Sequence, residues 1–223
     1  MSLEGNQYHS QNQSHSGRSP VTSANRTLGV FVVTAAAQLP STARIVNQTW
    51  GSGETDYRIV FGGNSNIPRE WRTLPIMHLK QEQEFSSQPT VHQLFSLLKF
   101  LCKKYIGMYD WFLLASSEVY VATRDLEKLL SKLDPHTVVY MGRPGSQNPI
   151  EMASLRMMVN EYFCEGGPGI ILSHTALEAI VPFLDECLKQ VQSYSTFSRS
   201  DVELGRCFSR KLDVHCSTSQ EVT

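Results

Sequence analysis

Short apolar runs alternate along the chain with segments whose apolar residues recur every three or four positions. The runs are rich in β-branched and aromatic residues, as in strands covered on both faces. They lie at 28–36, 57–63, 74–79, 111–115 and 138–143. Segments with helical spacing lie at 38–50, 88–109, 123–133, 174–191 and 200–212. This alternation favours an α/β fold with a mainly parallel central sheet.

Helix-start signals accompany two of these segments. Pro40 and Ser41 open the first helical segment, and Thr90 precedes the apolar series of the second. Proline suits the first helical turn, and a threonine side chain can accept a hydrogen bond from the backbone there. We therefore predict that Thr90 caps the helix in 88–109.

The first 26 residues differ from the rest of the chain. They are rich in Ser, Asn, Gln and Gly and contain almost no apolar residues. Such a segment cannot offset the entropy of its own ordering. We interpret residues 1–26 as a stem, a linker or a cloning remnant, and residues 27–223 as one domain.

Charge and hydropathy exclude some classes of partner. The formal net charge is −1, which gives no electrostatic basis for binding nucleic acid. No run approaches the roughly 18 consecutive apolar residues of a membrane-spanning helix. Any membrane anchor is therefore expected outside this chain.

A small polar cluster follows the apolar run at 111–115. Ser116, Ser117 and Glu118 stand at the carboxyl end of this predicted strand. Ligands of open α/β sheets bind at such ends. One interpretation is a plain polar loop; the other is a cation site, which needs carboxylate oxygens that serine does not supply.

Two further segments are candidates for a site. Gly166, Gly167 and Gly169 surround Pro168, and they form either a tight turn between strands or a loop that a ligand approaches closely. Asp201 opens the last helical segment with Glu203. These acids either complement the helix N-terminus or place a general base in the crevice.

The cysteines and sequons give evidence on the cellular compartment. Cys102 lies on the apolar face of a predicted helix and is expected to be a buried free thiol. The other four are Cys164, Cys187, Cys207 and Cys216. No C-x-x-C pair occurs among them, so the spacing does not indicate a zinc site. Cys207 and Cys216 could join a helix to the segment after it. Sequons occur at Asn12, Asn25 and Asn47, and together with clustered cysteines they favour the secretory pathway.

Five segments together resemble one known family. DWFLLASSEVYV, VVYMGRP, FCEGGPGIILS, PFLDEC and SDVELGRC, in this order, are similar to the fringe-like β1,3-glycosyltransferases of family 31. The resemblance is greatest to the glucuronosyltransferase-type half of chondroitin synthases and chondroitin polymerizing factors. It covers roughly residues 28–216.

The resemblance implies a fold, a chemistry and a location. The fold would be GT-A, a Rossmann-like α/β nucleotide-sugar transferase domain. It would bind a UDP-sugar and Mn²⁺ and invert the anomeric carbon during transfer to a glycosaminoglycan acceptor. The enzyme would lie in the Golgi lumen, tethered by a membrane helix outside this chain.

The resemblance also assigns residues. Glu118 matches the acid that contacts the metal, whereas Ser116 and Ser117 replace the other two aspartates of the family motif. Asp201 matches the catalytic base. The donor and acceptor pocket would include Val32, Thr34 and Ala35 of the first strand and Gly166, Gly167 and Gly169 of the glycine loop. A histidine that completes the metal site is expected beyond Thr223.

The four family cysteines are expected to form two disulfides. The predicted pairs are Cys164 with Cys187 and Cys207 with Cys216, and Cys102 is expected to stay free. Asn47 is the predicted glycosylation site.

Three functions are compatible with these residues. The first is a transferase that moves glucuronate from UDP-glucuronate to N-acetylgalactosamine, with Asp201 as base. The second is a non-catalytic partner of an active chondroitin synthase subunit, because the acidic cluster is depleted. The third is a lectin-like module that binds sugar without a nucleotide.

Overall fold

Six strands form a single sheet in the part of the chain that the computed structural model describes. That part comprises residues 26–52, 56–63, 73–80, 85, 89–145, 148–158, 160–194 and 198–219. The strands are β1 (Arg26–Val33), β2 (Asp56–Gly62), β3 (Ile76–Leu79), β4 (Tyr109–Ser116), β5 (Tyr140–Gly142) and β6 (Ile170–Ser173). Residues 1–25, with the sequons at Asn12 and Asn25, lie outside the described residues.

The sheet order is β3-β2-β1-β4-β6-β5, and its first four strands are parallel. Strand β6 runs antiparallel to β4, and β5 runs antiparallel to β6. The sheet is therefore mainly parallel, as the sequence predicted, and β4 is one of its two central strands. The antiparallel β6 brings its first residue beside the end of β4, where Ile170 pairs with Leu114.

Helices cover the sheet on both faces. They are α1 (Leu39–Gln48), α2 (Val91–Tyr105), α3 (Thr123–Leu130), α4 (Pro149–Ser154), α5 (His174–Ile180), α6 (Leu184–Tyr194) and α7 (Ser200–Leu212). Strand residues alternate between two apolar cores because successive side chains of a strand point to opposite faces. Phe31 and Val33 of β1 belong to the core formed with α2, α5, α6 and α7, whereas Val30 and Val32 belong to the core formed with α1.

The helix-start predictions are confirmed, and one predicted helix is divided. Thr90 forms a reciprocal capping box with Gln93 at the start of α2, and Pro40 lies in the first turn of α1. The segment 174–191 forms two helices joined by a short 3₁₀ turn at Val181–Phe183. Pro182 explains the break because it lacks the amide hydrogen that a continuous helix requires.

Two disulfides join the four expected cysteines, but both predicted pairings are wrong. Cys164 bonds to Cys216, and Cys187 bonds to Cys207. After α7 the chain returns to the sheet edge, where the amide of Gly142 donates to the carbonyl of Ser217 at 3.1 Å. This backbone pairing carries Cys216 away from Cys207 and beside Cys164. Cys102 is free, as expected, but it is half-buried and not fully buried.

No helix among the described residues is both long enough and apolar enough to cross a membrane.

Peptide mapping under non-reducing conditions should find Cys164 joined to Cys216 and Cys187 joined to Cys207. Replacing a pair by alanine removes a constraint on the unfolded chain, and the two loops differ in length, with separations of 52 and 20 residues. We expect a loss of about 4 kcal/mol for the first pair and about 3 kcal/mol for the second, measured by urea unfolding. Peptides linking Cys207 to Cys216 would contradict the structure.

Candidate functional site

A cavity of about 940 Å³ opens at the carboxyl ends of β1 and β4. Val33 and Ser116, which are register partners in the two strands, both line it. The glycine loop and the start of α7 supply another part of the wall, through Gly166 and Asp201. Thr90, which caps the N-terminus of α2, lies on the wall as well.

The polar cluster after β4 contributes two of its three members to the cavity wall. Ser116 and Glu118 line the cavity, whereas Ser117 is not among the lining residues. The Ser116 hydroxyl accepts a hydrogen bond from the Glu118 amide at 3.3 Å and so stabilises the turn. Among the described residues, the exposed Glu118 carboxylate has no hydrogen bond or ion pair.

The glycine loop is both a turn and part of the cavity wall. The amide of Gly169 donates to the carbonyl of Gly166 at 3.2 Å, which closes the turn before β6. Gly169 has a φ of 113°, a conformation that side-chain-bearing residues rarely adopt. Gly166 and Gly167 face the cavity, and a side chain at Gly167 would meet open space.

Asp201 is buried at the first turn of α7, and four donors hold its carboxylate. One oxygen accepts hydrogen bonds from the Gly166 amide at 3.0 Å and from Arg199 Nη2 at 2.8 Å. The other accepts from the Val202 amide at 2.9 Å and from Arg199 Nε at 3.2 Å. The hydrogen bonding of Arg199 to Asp201 is the main reason that the pKa of Arg199 is raised. Burial of Arg199 has the opposite effect.

The residues expected to line the pocket from the first strand do not line the cavity. Val32 and Thr34 are fully buried, and Val32 packs in the core opposite to that of Val33. The Thr34 hydroxyl shares a 3.0 Å hydrogen bond with the Thr42 hydroxyl of α1. Neither of these two residues nor Ala35 is among the lining residues, so Val33 is the residue of β1 that contacts the cavity. Strand alternation decides this, and a sequence without known register does not show it.

Asn47 is exposed in the last turn of α1, where its side-chain oxygen accepts a 3.5 Å hydrogen bond from the Tyr57 hydroxyl. The sequon is therefore accessible at its surface position.

A buried ionic network fixes α7 to the segment before the glycine loop. Arg206 is 3% exposed and contacts both Glu203 and Glu161, the latter at 3.3 Å. Its Nη2 also donates to the carbonyl of Leu155 at 2.7 Å. Arg210 adds a 2.6 Å bond to the other oxygen of Glu161. The network holds the helix that carries Asp201 in a fixed position relative to the cavity.

No sequence motif pointed to two arginines that lie on the cavity wall. Arg143 follows β5 and contacts Glu165, and Arg199 contacts Asp201. An ion-pair partner that is distant in the chain, such as Glu165 for Arg143, cannot be identified by a local motif. Each of the acids Glu165 and Asp201 is therefore already bound to an arginine.

The donor set does not fit a divalent cation. Mn²⁺ would require several oxygen ligands that converge on one point. Within the described part of the chain, no three acids, histidines or cysteines form such a group. Glu118 is one carboxylate, and the Ser116 hydroxyl is already engaged by the turn.

Comparison with solved structures defines the class of the fold. The crystal structure of the galactosyltransferase LgtC in complex with donor and acceptor sugar analogues superposes with a TM-score of 0.54. The match covers 87% of this chain and 74% of that chain, at 16% sequence identity. The chain therefore has the GT-A glycosyltransferase fold, as the sequence predicted.

Sequence comparison places the chain within that class. The Fringe-like family model matches residues 32–222, and the chain belongs to this family. Human chondroitin sulfate synthase 3 is 32% identical over 198 residues, which are 87% of this chain and 22% of that protein. Mouse chondroitin sulfate synthase 2 is 28% identical over 194 residues, covering 86% and 23%. The chain spans less than a quarter of the length of these relatives.

Adding a carboxylate beside Glu118 should improve cation binding. The Ser116→Asp variant should bind Mn²⁺ more tightly than the natural chain in calorimetry without nucleotide, because the aspartate adds a charged oxygen to the cavity wall. Ser116→Asn is the matched control, since it adds similar volume without charge. Equally tight Mn²⁺ binding by the natural chain would show that its own residues already suffice for the cation.

Glu161 should make stability dependent on pH. Burial alone would raise the pKa of Glu161, but hydrogen bonds from the Met158 amide and from Arg210 lower it below its ordinary value of 4.5. A carboxyl with a lowered folded-state pKa stabilises the fold above its unfolded pKa, and this contribution is lost as the pH falls through the folded value. Glu161→Gln should therefore reduce the free energy of unfolding at pH 7 and flatten its decrease below pH 4.5.

Urea unfolding between pH 7 and pH 3 measures both effects. Glu178→Gln is the control, because the Glu178 side chain is 65% exposed. A pH profile for Glu161→Gln that parallels those of the control and of the natural chain would contradict the role of the network.

Proposed function

We propose that this domain is a UDP-sugar transferase of the chondroitin-synthase type. It would move glucuronate from UDP-glucuronate to the 3-hydroxyl of a terminal N-acetylgalactosamine in glycosaminoglycan synthesis. The observation that carries the proposal is the cavity at the carboxyl ends of β1 and β4, where Asp201 meets the glycine loop. Membership in the Fringe-like family supports it.

The size and position of the cavity suit a nucleotide sugar. A volume of about 940 Å³ lies at the upper end of the usual range for ligand sites. Ligands of open α/β sheets bind where the carboxyl ends of the strands open a crevice. Glycines at 166 and 167 let the ligand approach the main chain without obstruction from side chains.

Asp201 is the proposed general base. The acceptor oxygen would attack the anomeric carbon as the bond to UDP breaks, and the proton of that hydroxyl would pass to the Asp201 carboxylate. One of the four hydrogen bonds that the Asp201 carboxylate already accepts must then break. The Arg199 side chain is 45% exposed and can move, whereas the Gly166 and Val202 amides belong to the backbone. The acceptor hydroxyl would therefore replace a contact from Arg199.

A specific observation favours a second candidate, a non-catalytic partner of an active synthase subunit. Both Asp201 oxygens are occupied, and serines stand at 116 and 117. A domain of this kind would keep the fold and the glycine loop while losing the chemistry. For either function we propose the Golgi lumen, tethered by a membrane helix outside this chain. The two disulfides suit that oxidising compartment.

Asp201→Asn should separate binding from transfer. Asparagine keeps the shape and one acceptor oxygen but cannot take a proton, so turnover should fall by roughly 10²–10⁴. The affinity for UDP should change far less. The measurements are transfer of labelled glucuronate to a chondroitin oligosaccharide that ends in N-acetylgalactosamine, and UDP calorimetry. Asp213→Asn is the control, because the Asp213 side chain is 98% exposed.

Each outcome selects one function. Retained turnover in Asp201→Asn would show that the base is misassigned. If the natural chain binds UDP and transfers nothing, but raises the activity of a chondroitin synthase subunit, the partner function is correct. A chain that binds chondroitin oligosaccharide and no UDP is the lectin-like module.

A further inference from the structure

We propose that this domain holds the diphosphate of its nucleotide through Arg143 and Arg199, without a divalent cation. The inference rests on the proposed function, because it concerns how a UDP-sugar would bind in the same cavity. It follows from the contrast between the depleted acidic cluster and the two arginines that line the same cavity.

A diphosphate needs positive charge wherever it binds. In a site that lacks a set of cation ligands, that charge must come from the protein. The described wall of the cavity carries two cationic side chains, Arg143 and Arg199. A guanidinium group can bind a phosphate through two parallel hydrogen bonds, which a point charge cannot do.

Arg199 is already oriented for such a contact. Its Nε and Nη2 atoms bind the two oxygens of Asp201, and the Phe163 ring lies 5.2 Å from the guanidinium carbon. The outer edge is formed by Nη1 and the second hydrogen of Nη2. The Glu151 carboxylate lies 3.7 Å from Nη1, which is longer than a hydrogen bond. The outer edge can therefore bind an anion while Asp201 holds the inner edge.

Arg143 forms the second half of the proposed site. It follows the end of β5, and its side chain is 67% exposed. Its Nε and Nη2 atoms contact the same oxygen of Glu165, and among the described residues its Nη1 has no partner. Glu165 immediately precedes Gly166, whose amide donates to the Asp201 carboxylate that also holds Arg199. The two arginines thus line neighbouring parts of one cavity wall.

Replacing Glu118 distinguishes a diphosphate held by arginines from one held by a cation, because the two cases predict different changes in UDP affinity. If Glu118 is a cation ligand, Glu118→Gln weakens UDP binding. If the arginines hold the diphosphate, the Glu118 carboxylate on the wall repels it. Glu118→Gln then leaves UDP binding unchanged or makes it tighter. The substitution is isosteric and lies at an exposed position, so folding is not expected to change.

The test is UDP calorimetry on the natural chain and its variants, in EDTA and in Mn²⁺. We expect equal affinity in both buffers and an affinity that falls with added salt. Arg143→Gln should weaken UDP binding by about tenfold or more, the effect of losing a charge-assisted hydrogen bond. Arg199→Lys keeps a charge beside Asp201 but loses the outer edge of the guanidinium group, so it should also weaken UDP binding. Arg124→Gln is the matched control, since Arg124 is exposed on α3 and is not a lining residue.

Two further ligands identify what the arginines contact. Uridine lacks the diphosphate, so Arg143→Gln should leave its weaker binding unchanged. UDP-glucuronate adds a carboxylate, and Arg143→Gln should weaken it by the same factor as UDP. A loss confined to UDP-glucuronate would show that Arg143 binds the sugar carboxylate, and it would overturn the inference.

The failure of this inference is distinguishable from the failure of the proposed function. UDP binding that requires Mn²⁺ and is weakened by Glu118→Gln overturns the inference and leaves the transferase proposal intact. Equal UDP affinities of the Arg143→Gln and Arg124→Gln variants would likewise overturn the inference and leave the transferase proposal intact. No UDP binding in either buffer overturns both.

Discussion

The position of β4 between a parallel and an antiparallel neighbour determines where every part of the candidate site lies. The parallel pairing with β1 brings Val33 beside Ser116, so two strands end at the same edge. The antiparallel pairing with β6 places Ile170 beside Leu114, so β6 begins where β4 ends. The glycine loop immediately before β6 must therefore lie at that edge. Reversal of β6 would move the loop to the opposite edge of the sheet.

Charge pairing around the cavity has a similar consequence for the chemistry. Asp201 lies between two backbone amides and Arg199, and Glu165 is paired with Arg143. These carboxylates are thus available to orient arginines and not to bind a cation. A base that already accepts four hydrogen bonds can act only if a donor leaves. The exposed Arg199 side chain can give up one of its two hydrogen bonds to Asp201 at least cost and keep the other.

The buried network around Arg206 explains how the site is held in place. Removing one member would leave a charge uncompensated in the interior, which typically costs about 3–5 kcal/mol. Glu161, Glu203 and Arg206 come from two distant segments, and their pairing joins the chain before the glycine loop to α7. The disulfide between Cys187 and Cys207 ties the same helix to α6. Two independent restraints therefore act on the helix that carries Asp201.

The sequence by itself determined the elements of the fold, because apolar periodicity and helix caps are local. The strands around Val30 and Phe112, the α2 cap at Thr90 and the free Cys102 all followed from it. It also identified Glu118, Asp201 and the glycine loop as parts of one site, because the resemblance to a known family extends over five segments that include them. Tertiary structure alone decided which cysteines pair, because the return of the chain to β5 is a long-range event. It likewise decided that Val33 and not Val32 contacts the cavity, since strand register sets the face. Arg143 belongs to the same category, because its partner Glu165 is set by packing and not by spacing in the chain.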